Sequence, residues 1–205
     1  MLTASANSSG SFAPIPEGTY PAVCNMLIDL GMQKNEQYNT TSRKVLIGWQ
    51  LPDETIEIDG KPEPRTISKR YTLSLSDSSN LRADLAAWRG RDFTPQELQA
   101  FDLRNIVGAG CLIGIIHKES NGKKYANISS IMALPKGMAK PQTSGTPTVF
   151  DLDEDPLDVV DNLPKWIYEI ICKSDTYKER CAVEDAADAK GGFTEYADDD
   201  GELPF

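Results

Sequence analysis

The sequence has very little histidine and lacks the spaced motifs that mark many enzymes. It contains one histidine, His117, and four widely separated cysteines with no C-x-x-C pair, so a structural zinc site is not expected. It has no G-x-x-x-x-G-K-[ST] phosphate loop, no G-x-S-x-G nucleophile motif and no H-E-x-x-H metal motif. These absences favour a binding protein over an enzyme, and we expect no cofactor.

Long apolar segments are also missing. No run approaches the roughly 20 apolar residues that a helix needs to cross a bilayer. Residues 1–13 are rich in serine, alanine and asparagine and lack a basic region followed by an apolar one, so we expect a flexible N-terminus and a cytoplasmic protein. A length of 205 residues with 40% hydrophobic residues suits one ordinary domain with appendages.

The net charge of -10 is distributed unevenly along the chain. Residues 1–140 contain 16 Lys+Arg and 14 Asp+Glu, a balance of +2, whereas residues 141–205 contain 5 and 17, a balance of -12. A uniformly acidic chain would be repelled by nucleic-acid phosphates. A slightly basic body that carries a strongly acidic extension is compatible with nucleic acid as a partner.

Apolar periodicity and turn signals predict three strands, a helical insert and a hairpin of two further strands. A helix face formed by Leu81, Leu85 and Trp88 and a capping box from Thr94 to Glu97 indicate the insert. Asn121-Gly122 is a strong hairpin signal. The predicted strands cover residues 18–30, 43–51, 65–76, 106–118 and 123–134.

This element order predicts a mainly β protein with a five-stranded OB-fold barrel over residues 14–135. A linker is expected over residues 136–161, because its first part is rich in Lys, Pro, Gly, Ser and Thr and its second part is acidic. Residues 162–181 should form an amphipathic helix that packs on the barrel or on a partner through Trp166, Ile167, Ile170 and Ile171. Residues 182–205 are expected to be disordered.

The last eight residues combine four carboxylates with an apolar end. Such a run cannot be buried and should stay solvated, with one large apolar anchor. Its pattern resembles the C-terminal tip of bacterial and bacteriophage single-stranded DNA-binding proteins, in which acidic residues before a terminal Pro-Phe recruit replication, recombination and repair proteins. The resemblance rests on Asp198, Asp199, Asp200, Gly201, Glu202, Leu203, Pro204 and Phe205. It implies a bacteriophage-type protein in the host cytoplasm; a monomer or homodimer is as compatible with the sequence as a tetramer.

Single-strand binding needs cations that follow the backbone and flat rings on which bases stack. Three clusters in the predicted barrel pair charge with an aromatic ring, and in an OB-fold they map onto the face of strands 2 and 3 and its flanking loops. The candidate binding residues are Tyr38, Arg43, Lys44, Trp49, Lys69, Arg70, Tyr71, Lys123, Lys124 and Tyr125. Strand alternation leaves open whether Trp49 and Tyr71 stack on bases or lie in the core.

Two further readings of the sequence remain. The acidic half could make the protein an adaptor or a DNA mimic on an OB-like scaffold. A magnesium-dependent nuclease would need two or three converging carboxylates, and a cluster of six lies between Asp151 and Asp161. If the protein binds DNA, the tethered acidic tail should compete with DNA phosphates for the basic surface.

Overall fold

A computed structural model describes residues 13–58 and 60–191. Within these ranges the protein is mainly β, with six strands and a few helices. In chain order the elements are β1 (Gly18–Asn35), β2 (Thr40–Ile58), β3 (Lys61–Thr72), α1 (Asn80–Arg89), α2 (Pro95–Gln99), a 3₁₀ helix (Leu103–Ile106), β4 (Gly110–Ser120), β5 (Lys123–Met132), β6 (Thr148–Phe150), a second 3₁₀ helix (Leu157–Asn162), α3 (Lys165–Ile171) and α4 (Asp175–Gly191).

The strands form one sheet with the order β3-β2-β1-β4-β5, and all neighbours in this path are antiparallel. β1 is long enough to pair with β2 along most of its length and with β4 over its first residues, from Gly18 to Val23. β6 pairs with β1 in parallel just beyond that point, at Met26 to Ile28. The hydrogen-bonded path ends at β3 and β5, so within the described residues the sheet is open.

One face of the sheet carries the first core, which helix α1 covers. Leu81, Leu85 and Trp88 are buried there, as their helical spacing predicts. Trp88 lies against Trp49 with ring centroids 5.8 Å apart. The other core residues on the strands include Val45, Ile47, Leu51, Ile67, Tyr71, Cys111, Ile113, Ile115 and Ile131.

The other face of β1 and β2 carries a second core, which the chain after β5 covers. Ile28, Leu30 and Leu46 are buried on the strands. Their partners from the C-terminal part are Phe150, Leu152, Leu157, Val160, Leu163, Ile167 and Ile171. The prediction of a linker over 136–161 is therefore wrong for its second half, because this segment packs through apolar side chains at irregular spacing. We call residues 148–181 the C-terminal layer.

The amphipathic helix predicted for 162–181 packs on the body, as expected, but it is divided into α3 and α4. Ile167 and Ile171 are fully buried, whereas Trp166 is 47% exposed. Residues four apart share a helix face, so burial of the two isoleucines turns Trp166 outward. The second helix also continues through Ala182 to Gly191, where disorder was expected.

Local turn and cap signals are confirmed, but two strand boundaries differ from the prediction. Asn121 and Gly122 both have positive φ, 52° and 71°, and the Thr94–Glu97 capping box is formed. Contrary to the prediction, β2 does not stop at Pro52 but continues to Ile58. Pro52 lies where the β2–β3 pairing is irregular, between Leu51 and Thr55, so the missing N–H of proline is tolerated there. β3 lies four residues earlier than predicted.

No helix in the described ranges is long and apolar enough to cross a bilayer.

Candidate nucleic-acid interface

A groove of about 370 Å³ brings together four of the ten candidate binding residues. It lies at the end of β3, between that strand, β2 and the loop that leads into α1. We call it the serine groove, because four serine side chains line it. Its lining consists of Lys44, Lys69, Arg70, Tyr71, Thr72, Ser74, Ser76, Ser78, Ser79 and Asn80.

Strand pairing and helix capping hold the groove in shape. Lys44 on β2 stands opposite Thr72 on β3, and its Nζ donates to Thr72 Oγ1 at 2.6 Å. Ser79 is the N-cap of α1: its Oγ accepts from the N–H of Arg82 and donates to the carbonyl of Ser74. The loop therefore closes on itself and presents hydroxyl groups beside the cations.

The groove carries positive charge that carboxylates only partly offset. Within the described residues, no carboxylate lies within 4 Å of Lys44 or Arg70, and Arg70 is exposed. Lys69 Nζ is bound to Asp84 Oδ2 at 2.6 Å. Lys44 and Arg70 are thus the two cations of the groove that are available to an anionic ligand.

Tyr71 belongs to the core and not to the ligand surface. The residue is 4% exposed, and its hydroxyl donates to Asp84 Oδ2 at 2.7 Å. Burial, together with the neighbouring Asp84 carboxylate, raises the pKa of Tyr71 well above its usual range. Tyr71 therefore stays neutral, and it fixes Asp84 beside Lys69 instead of stacking on a base.

Arg43 has two carboxylate partners and faces a different cleft. Its guanidinium binds Asp29, and its Nη1 lies 2.6 Å from Asp153 Oδ2. The hydrogen bonds to Asp29 are the main cause that raises the pKa of Arg43 above its usual value. The cleft that Arg43 lines measures about 290 Å³ and contains carboxylates of β1 and of the C-terminal layer. Because Asp29 and Asp153 neutralise the charge of Arg43, this residue is no longer a candidate for phosphate binding.

Trp49 is part of the first core, so it cannot stack on a base in this structure. Its side chain is fully buried and packs against Trp88. Its Nε1 has no hydrogen-bond partner among the described residues. Trp49, like Tyr71, therefore lies in the core and not on a face that is open to a ligand.

The remaining candidates lie apart from the serine groove. Tyr38, in the turn between β1 and β2, is 68% exposed, and Tyr125 on β5 is 49% exposed. Lys123 and Lys124 begin β5, next to the hairpin turn, and are exposed. The register places this hairpin beyond Gly18, at the start of β1, whereas Lys44 pairs with Gly31 near its end. Long β1 thus separates two cationic regions.

The carboxylates between Asp151 and Asp161 do not converge. Arg104 Nη2 lies 2.9 Å from Asp151 and also binds Glu154, while Asp153 binds Arg43. Within residues 13–58 and 60–191, no group of three His, Cys, Asp or Glu side chains is arranged to hold a metal ion. Three of them, Asp151, Asp153 and Glu154, tie the C-terminal layer to the body.

Sequence reasoning missed the serine loop. Ser74 and Ser76 fall at the end of the predicted strand 65–76, and Ser78 and Ser79 lie between that strand and the predicted helix face. The run of serines between the strand that carries Lys69 and Arg70 and the start of α1 is the sequence signal that could have indicated this loop. The predicted partner-binding residues, Asp198 to Phe205, lie outside the described residues.

No protein-family model matches the chain, and no curated protein sequence matches it significantly.

Proposed function

We propose that this protein binds single-stranded DNA with little sequence preference, on an OB-type body. The strand order agrees with an OB-fold, since β1 pairs with both β2 and β4, and the helical insert falls between β3 and β4. Cα atoms of β3 and β5 also approach within 8 Å, at the place where an OB barrel would close. Helix α1 contacts both of these strands.

The serine groove is the observation that carries the proposal. Lys44 and Arg70 offer two positive charges that no carboxylate of the described residues compensates, and the serine hydroxyls beside them can donate to phosphate oxygens. The groove contains no paired recognition element for base edges. Such a surface favours binding through the sugar-phosphate backbone, which is tolerant of sequence and sensitive to salt.

The acidic segment at residues 198–205 supports a second part of the proposal. We assign it to the recruitment of replication, recombination or repair proteins, on the strength of its acidic Pro-Phe pattern. The segment also carries charge of the sign that the serine groove binds. A tethered acidic peptide would therefore compete with DNA at low salt.

The proposal is tested by titrating a fluorescently labelled oligo(dT) of about 16 nucleotides, the upper end of known OB-fold site sizes, with the full chain. Anisotropy of the label is the suitable readout, since Trp49 and Trp88 are buried and Trp166 lies on α3. We expect saturable binding that weakens steeply as salt rises, and similar affinity for mixed-sequence strands. Absence of binding at low salt would reject the proposal and favour the acidic adaptor. Loss of the intact strand upon addition of Mg²⁺ would favour a nuclease.

A further inference from the structure

The cleft that Arg43 lines adjoins the serine groove, and we call it the Arg43 cleft. It has a volume of about 290 Å³, and residues of β1, β2, the first 3₁₀ helix and the C-terminal layer line it. The N–H of Leu73 donates to the carbonyl of Arg43 at 2.9 Å. Leu73 lines the cleft, whereas its neighbours Thr72 and Ser74 line the groove. The two sites therefore share one segment of the chain.

Apolar side chains form much of the Arg43 cleft. Leu27, Val45 and Phe150 belong to the two cores and are buried. Leu73 and Val149, by contrast, are 41% and 37% exposed. Large apolar side chains that stay exposed at a cleft are favourable to bury against a ligand. The ligand of this cleft should thus present an apolar group.

The charged side chains of the cleft disfavour an anionic ligand. Each of its two arginines, Arg43 and Arg104, binds two carboxylates, so neither is available to a phosphate. Asp102 adds a further carboxylate to the lining, and no cation of the described residues lies within 4 Å of it. Two positive charges thus stand against five negative ones, and the cleft is complementary to a cation.

We propose that the Arg43 cleft is a docking site for a protein partner, which inserts an apolar side chain next to a lysine or arginine. A volume of about 290 Å³ is close to the lower limit of ordinary small-molecule pockets and suits side chains of a bound segment. The excess of carboxylates selects the basic neighbour and repels nucleic acid. This inference goes beyond DNA binding and does not depend on it. It places a partner on the body of the protein, directly beside the serine groove.

Two labelled tetrapeptide amides, titrated with the full chain, test the chemistry of the site. Leu-Arg-Leu-Arg supplies both features of the proposed partner, whereas Gly-Arg-Gly-Arg supplies the same charge without large apolar side chains. Fluorescence anisotropy should show saturable binding of the first peptide and affinity about tenfold weaker for the second, because only leucine gains from burial in the cleft. Attraction by charge alone would be equal for both.

Two variants with the same change of composition locate the binding. Leu73→Lys places an ammonium group at the cleft, whereas Ile58→Lys makes the equivalent change at the last residue of β2, outside the lining. The two side chains are 41% and 45% exposed. We expect Leu73→Lys to bind Leu-Arg-Leu-Arg about tenfold more weakly than Ile58→Lys does, because like charges meet only at the cleft. Any attraction of the peptide to the acidic residues 192–205 is the same in both variants.

The outcomes separate this proposal from the DNA-binding proposal. Equal peptide affinity of the two variants, equal affinity of the wild-type chain for the two peptides, or no binding of Leu-Arg-Leu-Arg would each overturn the docking site, whatever the result with oligo(dT). Absence of oligo(dT) binding with the expected peptide results would reject DNA binding alone. Thermal unfolding of each variant checks that the fold is kept. If Leu73→Lys unfolds, Val149→Lys is compared with Ile58→Lys by the same criterion.

Discussion

Replacing Lys44 and Arg70 together by glutamine is expected to weaken oligo(dT) binding about 100-fold at low salt. Each side chain would lose a charge-assisted contact with phosphate, which contributes about 1.5 kcal/mol or more, or roughly a factor of ten. The salt slope should fall by about 1.4, since each phosphate contact on a single strand contributes about 0.7. Both effects are measured in the anisotropy titration at several salt concentrations.

A matched control separates local contacts from the loss of overall charge. Lys136 and Lys165 are exposed and lie outside the groove lining, and replacing both by glutamine changes the net charge equally. This control should retain most of the wild-type affinity. If the two double variants bind equally well, the serine groove is not the binding surface. The groove variant should keep the wild-type unfolding temperature, because neither Lys44 nor Arg70 belongs to either core.

Truncation of the chain after Pro135 is expected to abolish cooperative folding. The fragment matches the domain that strand periodicity predicts, but it lacks the C-terminal layer, which includes β6. Ile28, Leu30 and Leu46, which are at most 2% exposed, would lose their cover. At about 1.5–3 kcal/mol for each buried side chain, the loss is about 5–9 kcal/mol, comparable with the whole stability of an ordinary domain. Circular dichroism during heating and the solubility of the fragment measure the effect.

Truncation after Gly191 is the control for this experiment. It removes only residues 192–205 and keeps both cores, so the unfolding temperature should stay at the wild-type value. If the acidic tail competes for the serine groove, the same truncation should tighten oligo(dT) binding at low salt. Unchanged or weaker binding would end the competition hypothesis. A fragment 1–135 as stable as the full chain would contradict the role of the C-terminal layer.

Much of the body could be predicted from the sequence, because its elements have regular signals. Alternation along β1 to β5, the helix spacing of Leu81, Leu85 and Trp88, and the Asn121-Gly122 turn each reflect local geometry that the chain itself dictates. The cations of the groove were also found, since Lys44 and Arg70 stand on predicted strands. In each case the signal lies within a few residues of the structure it predicts.

The first part of the C-terminal layer, residues 148–161, was missed because its packing has no period. Phe150, Leu152 and Leu157 are buried from a short strand, a turn and a 3₁₀ helix, which give neither a helical nor an alternating pattern. Contacts between residues that are distant in the sequence could not be predicted either. Arg43 contacts Asp153 only because this layer folds back on β1 and β2. The neighbouring residues in the sequence therefore do not indicate that the charge of Arg43 is neutralised.

The layer also explains a glycine that the sequence alone left without a defined role. Gly31 has φ +69°, and a Cβ there would lie 2.7 Å from both Leu152 and Ser174 side-chain atoms. The residue combines a left-handed backbone with close approach of the C-terminal layer, two demands that only glycine meets without strain. Gly31 lies one residue beyond the predicted strand 18–30, and the tight packing around it became visible only in the fold.

Cross-linking is the most direct test of the claim that DNA lies in the serine groove. A single-stranded oligonucleotide carrying photoreactive thymine analogues is irradiated with the full chain, and the linked peptides are identified by mass spectrometry. The account predicts cross-links within residues 69–80, which contribute most of the groove lining, and their loss when Lys44 and Arg70 are replaced by glutamine. Cross-links confined to the C-terminal layer, or none at DNA concentrations that saturate binding, would contradict it.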